Sequence, residues 1–217
     1  MLRKWTVRIG GGFAVVTLAI GALHLPAARP LLALVGQCPV GRESPREIED
    51  ARRIALRSLR GPGLAPARPA LGFALEQTTE AEVREWASAR GLRCESSREA
   101  TLLVCGDVPP GALEPAAPGT IDELAFGFRV RDGRLVNLTT LRTGVDATRA
   151  ASALAASATA LHKELGAAAA ERLPSRTWDG RPAFVRYRFA DYIAAVSAME
   201  LPGRGIVMRE QYLSAVD

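Results

Sequence analysis

The sequence predicts an α+β domain held beyond a membrane by an N-terminal transmembrane helix. Three observations carry that expectation: an uncharged apolar run after a basic start, two helix-start signatures that each precede strand-like runs, and two cysteines around a polar turn. The layout that follows is a signal anchor over 1–37, a juxtamembrane helix with a Pro/Gly-rich linker over 38–70, and an exported domain over 71–217. Two helix-plus-antiparallel-strand halves, 71–143 and 146–217, are expected to join as a helix-on-sheet layer domain.

The leader opens with Arg3, Lys4 and Arg8, and then carries no formal charge over 9–26. From Ile9 to Leu25 it meets the short end of the about 17–25 residues that span a bilayer, and exceeds the about 7–15 of a signal-peptide core. Pro26-Ala27-Ala28 is a poor cleavage site. The favoured reading is therefore a single-pass inner-membrane protein, cytoplasmic at its basic end, with its C-terminal domain in the periplasm. Two alternatives stay open. One is a cleaved, secreted chain. The other is a lipoprotein anchored at Cys38, because Leu34-Val35-Gly36-Gln37-Cys38 approximates a lipid-attachment stretch with Gln37 as an extra residue. All three readings export residues 39–217.

Export bears on the cysteines, since an oxidising compartment permits disulfides. Cys94 and Cys105 flank two short strand-like runs with a polar link at 96–99. If Cys94 opposes Cys105, the hairpin sets their Cα atoms about 4.5 or 5.5 Å apart, close to the about 4.4–6.8 Å that a disulfide favours. The reading is a Cys94–Cys105 disulfide, with Cys38 left over.

Before the domain, Ser44, Pro45 and Glu47 form a capping box, and Ile48, Ala51, Ala55 and Leu59 share a helical face. Gly61-Pro62-Gly63 ends that helix, and 61–69 reads as linker. In the first half, 71–75 reads as a short strand. Thr79 with Glu82 then caps a second helix that Gly91 ends. The cysteine hairpin follows, then a proline-dense loop over 107–120. Alternation at Leu124, Phe126, Phe128 and Val130, the Asp132-Gly133 turn signal and a return run at 135–141 read as a hairpin. In the second half, Asp146 caps a long helix that ends at Gly166. Three strand-like runs close the chain at 183–189, 192–199 and 206–213.

The domain order, the Thr78-Thr79 cap with Val83 on its helix, and the antiparallel strands behind it resemble the BamE/SmpA lipoproteins. The doubled arrangement over 71–217 is similar to the tandem-repeat β-lactamase inhibitor proteins. Both resemblances imply a non-enzymatic envelope protein that binds other proteins.

Composition narrows the function classes. The net charge is +5 and the pI near 9.6, yet the arginines are scattered and aromatics make up only 6%. No nucleic-acid partner is expected on that pattern. Lysine occurs only at Lys4 and Lys163, and alanine, arginine, glycine and proline abound, which reads as codon bias of a GC-rich bacterial genome. Asn137-Leu138-Thr139 is on that view a chance sequon. No G-x-S-x-G, P-loop, C-x-x-C or H-E-x-x-H motif is present, so no catalytic, cofactor-binding or metal-binding residues are assigned. His24 reads as an interfacial residue and His162 as a boundary residue of the long helix. The expected function is a membrane-anchored envelope module that binds a protein partner. Its expected binding face is Arg186, Tyr187, Arg188, Arg209 and Tyr212, residue types enriched in interface hot spots. The alternative is a membrane-tethered hydrolase working through two carboxylates, with Asp191 and Glu210 as the pair to test.

Overall fold

Three polar residues start the helices, and each does so by accepting a backbone N–H that the first turn leaves free. The computed structural model describes residues 44–97, 101–113, 119–174 and 178–216. In α1 (Pro45–Leu59) the Ser44 hydroxyl accepts from the Glu47 amide at 3.4 Å, and Glu47 accepts from the Ser44 amide at 2.7 Å. Thr79 and Glu82 make the same reciprocal box at the start of α2 (Glu80–Ser88). Asp146 accepts from the Arg149 amide at 2.9 Å to open α3 (Ala147–Leu165).

The strands are β1 (Cys94–Ser97), β2 (Leu102–Val108), β3 (Ile121–Phe128), β4 (Leu135–Val145), β5 (Ala170–Arg172), β6 (Ala183–Arg188), β7 (Tyr192–Leu201) and β8 (Gly205–Ser214). They form one antiparallel sheet in the order β1-β2-β3-β4-β8-β7-β6-β5. The first and last four strands meet where β4 pairs with β8, for example Leu138 opposite Tyr212 and Thr140 opposite Glu210.

Alternation along the strands gives the sheet two unlike faces. The inner face carries Leu103, Cys105, Leu124, Phe126, Leu138, Val185, Tyr187, Ala194, Val196 and Met208, all essentially inaccessible. Val83 and Ala87 of α2 belong to this core, as do Leu154, Ala158 and Leu161 of α3. Phe73, Trp86 and Phe126 meet edge to face, with ring centres 5.0–5.9 Å apart. Among the described residues, α1 is the helix that packs on the outer face, at one corner. There Leu56 of α1 packs against Ile193 and Ala215, with Leu59 and Leu213 beside them. Arg52 of α1 donates to the Ser214 carbonyl at 2.8 Å, and Arg60 donates to the Ala215 carbonyl.

The expectation of an α+β layer of two halves behind a transmembrane helix is corrected. The described residues form mostly a single eight-stranded antiparallel sheet with three helices, and among them no helix is long and apolar enough to cross a membrane. The leader over 1–37 and Cys38 lie outside the described residues. The physical reason for the correction is the weight of strand pairing, which joins eight strands edge to edge against three described helices. The β4–β8 ladder runs from Asn137 to Val145, so backbone hydrogen bonds fuse the proposed halves into one sheet. The expected strand at 71–75 is also absent. Leu71 sits at φ 54° and Glu76 at φ 68°, which turn the chain instead of extending it.

The stretch at 61–69 reads as linker in sequence, yet it is held against the sheet end. The Gly61 amide donates to Phe189 O at 3.2 Å, Ala190 to Gly63 O at 2.7 Å, and Ala65 to Asp191 Oδ1 at 2.9 Å. Arg68 pairs with the other Asp191 oxygen, and the Tyr192 hydroxyl donates to Pro69 O. A Cβ on Gly61 would run into the Arg188 carbonyl, so this crossing requires glycine.

Candidate functional site

The sequence-predicted face does not survive as one surface. Arg186 and Tyr187 are adjacent on β6, and neighbouring strand residues point to opposite faces. Tyr187 is 1% exposed and Tyr212 is 3% exposed, both in the inner core. Arg186, Arg188 and Arg209 lie on the outer face. Burial pushes the Tyr187 phenol up to about 12, with Glu171 adding to the effect. Burial likewise raises Tyr212 well above its ordinary value, reinforced by Glu210. Neither hydroxyl is available to a partner.

The three arginines line a trough of about 300 Å³ that runs along β7. Its floor is Ala195 and Ser197, whose short side chains leave space between taller neighbours. Phe184, Arg186 and Arg188 rise from β6 on one side, and Arg209, Gln211 and Leu213 from β8 on the other. Walls two strands apart stand about 9.5 Å from each other at the backbone. At its α1 end the trough is closed by apolar Ile193, Leu213 and Leu59, with Arg188 opposite Ile193. The Arg186 and Arg172 guanidinium carbons lie 5.5 and 5.8 Å from the Phe184 ring centre, within cation–π range. Among the described residues no carboxylate pairs with Arg186, Arg188 or Arg209, and no carboxylate lines the trough.

The charge changes sign across the same face. In register, Phe184, Ser197, Arg209, Leu141 and Glu123 form one row from β6 to β3. A second row runs from Arg186 through Ala195, Gln211, Thr139, Ala125 and Val104 to Glu95. The basic zone is thus confined to the β6–β8 side, and exposed Glu95 and Glu123 bound it.

The carboxylates expected as a hydrolytic pair are not brought together. Asp191 is level with Ala215 at the sheet end, where it accepts from the Ala65 amide and pairs with Arg68. Glu210 is level with Val196, five residues further along β7. At about 3.3 Å per residue that separates them by about 16 Å, beyond the about 5–9.5 Å of two-carboxylate glycosidases. Glu210 is instead a core group. It takes Arg142 Nη1 at 3.0 Å, the Tyr212 hydroxyl at 3.0 Å and the Ser157 hydroxyl at 3.4 Å. Thr140 Oγ1 and Arg142 Nε and Nη2 are buried beside it without partners. His162 lies at the α3 surface, 3.0 Å from Glu171 and edge-on to Tyr187. Among the described residues no group of three or more His, Cys, Asp or Glu is placed to hold a metal ion.

Cys94 and Cys105 form a disulfide at directly opposed positions of β1 and β2, with Cα atoms 4.0 Å apart. Beside it a wider hollow of about 520 Å³ is lined by Arg93, Glu95, Val104 and Asp107, residues of mixed charge.

Sequence reasoning missed Phe184, Ala195, Ser197 and Leu59 as parts of the site. One signal was available, because alternation of Val185, Tyr187 and Phe189 against Arg186 and Arg188 already separates tyrosine from arginine. No family model, curated protein or solved structure matches this chain.

Proposed function

We propose that the chain is a membrane-anchored protein of the bacterial cell envelope whose periplasm-facing domain binds another protein without catalysis of its own. The observation that carries this reading is the trough on the outer sheet face. It combines three arginines without acidic partners, an aromatic ring and an apolar end, the mixture found at protein interfaces. The Cys94–Cys105 disulfide supports the exported setting, since such bonds persist in oxidising compartments. The basic, uncharged-then-apolar leader supports the anchor.

The test is a topology assay on the intact chain. A C-terminal reporter that matures only outside the cytosol should be active, and Cys94 and Cys105 should resist alkylation until reduced. A reporter active only inside the cell, with both thiols freely alkylated, refutes the placement. Binding is tested by a photocrosslinking residue at Ser197, which should capture a protein from the envelope fraction of intact cells.

A further inference from the structure

We infer that the trough takes an extended acidic segment of the partner protein, laid along β7 with an apolar side chain at the Leu59 end. This rests on the protein-binding reading above and adds the chemistry of the partner. Charge is the first argument. Arg186, Arg188 and Arg209 border one hollow with no carboxylate to neutralise them, and guanidinium groups bind carboxylates by paired, charge-assisted hydrogen bonds.

Spacing is the second argument. Alternate residues of a strand repeat every about 6.6 Å, so Arg186 and Arg188 match side chains two apart on an extended chain. The small floor at Ala195 and Ser197 leaves room for one backbone between walls about two strand widths apart. The α1 end orients the occupant: one arginine stands in each row, Arg209 with Ser197, Arg186 with Ala195 and Arg188 with Ile193, and apolar Leu213 and Leu59 flank only the last.

The layout disfavours a polyanion or an anionic lipid surface. Such ligands extend over long distances, and on this face they would meet Glu123 and Glu95 in the rows of Arg209 and Arg186. A short segment confined to the β6–β8 side avoids both.

The experiment uses the full-length chain, with the photocrosslinker at Ser197 in cells. The captured segment is mapped by mass spectrometry. We expect a segment of net negative charge with an apolar residue near one end. Arg209→Glu and Arg186→Glu should each lower the yield about tenfold, the effect of losing one strong interface contact. Arg209→Gln, a milder change, should lower it in the same direction, and an intact disulfide in each variant reports folding.

In vitro, the detergent-solubilised chain should bind a labelled octapeptide of alternating glutamate and serine with a leucine at each end. The same peptide with lysine for glutamate should not bind. A captured protein segment that is neutral or basic, with a yield indifferent to Arg209→Gln and Arg209→Glu, overturns this inference and leaves the protein-binding reading standing. Capture of no protein at all overturns the reading itself. Binding of phosphatidylglycerol vesicles or polyphosphate in place of the acidic peptide overturns the inference in favour of a polyanion.

Discussion

Replacing Glu210 by leucine removes a carboxylate that holds three groups in the core, and its cost can be worked from the structure. Arg142 and Glu210 are each no more than 4% exposed at the side chain, 3.0 Å apart, between the sheet and α3. Leucine at 210 leaves the Arg142 charge buried and unpaired, a loss of about 3–5 kcal/mol. It also strips the Tyr212 hydroxyl of its acceptor, worth about 1–3 kcal/mol more if nothing replaces it. Against a total stability of about 5–15 kcal/mol, this variant is half unfolded or worse in mild denaturant. The double variant Arg142→Met/Glu210→Leu removes both charges and should retain only the hydroxyl penalty of about 1–3 kcal/mol. Adding Tyr212→Phe should bring stability back to near the parent. Arg142 Nε and Nη2 have no partners even in the intact protein, so exchanging the pair for apolar groups also removes two dissatisfied donors. The assay is urea unfolding of all four proteins. If Glu210→Leu alone costs under about 1 kcal/mol, the buried ion pair does not hold the core together.

Three further outcomes are expected. All three tyrosines of the chain have raised phenol ionisation, Tyr187 to about 12 and Tyr192 and Tyr212 higher, chiefly through burial. Their stabilising effect is full below the ordinary value of 10.0 and is lost as pH rises towards the folded values, so phenolate absorbance should stay flat until alkaline unfolding exposes all three together. A phenol that titrates near 10 in the folded protein contradicts the burial. Reducing Cys94–Cys105, or replacing both by serine, opens a loop with a sequence separation of 11 and should cost about 3 kcal/mol on the chain-entropy account. An unchanged denaturation midpoint after reduction would argue that the hairpin stands without it.

The Glu82 carboxyl is held below its ordinary 4.5, first by the Thr79 amide and then by the Thr79 hydroxyl. Its support of α2 is complete above that ordinary value and fades as pH falls through the lower folded one. The Thr79 amide resonance should therefore titrate with a midpoint below 4.5, and a midpoint at or above it refutes the capping box.

Local chemistry was legible from the residues alone. Ser44, Thr79 and Asp146 start helices because a side-chain oxygen two or three residues ahead of free amides caps them wherever the chain sits. The Cys94–Cys105 register followed from a short polar turn between two strand-like runs. Assigning the face was harder. Arginine and tyrosine neighbours on β6 were grouped by proximity in sequence, although a period of two sends them to opposite sides. The trough itself needs Ala195 and Ser197 on β7 to lie low between β6 and β8, and Leu59 to arrive from a helix far earlier in the chain. The separation of Asp191 from Glu210 likewise depends on register along β7. By itself, then, the sequence determined the helix caps, the cysteine pairing and the uncharged leader, because each depends on residues close along the chain. Only the tertiary structure decided the strand order of the sheet, where α1 packs on its outer face, and where three arginines meet. Those outcomes depend on pairing between distant strands and on burial, which no local pattern encodes.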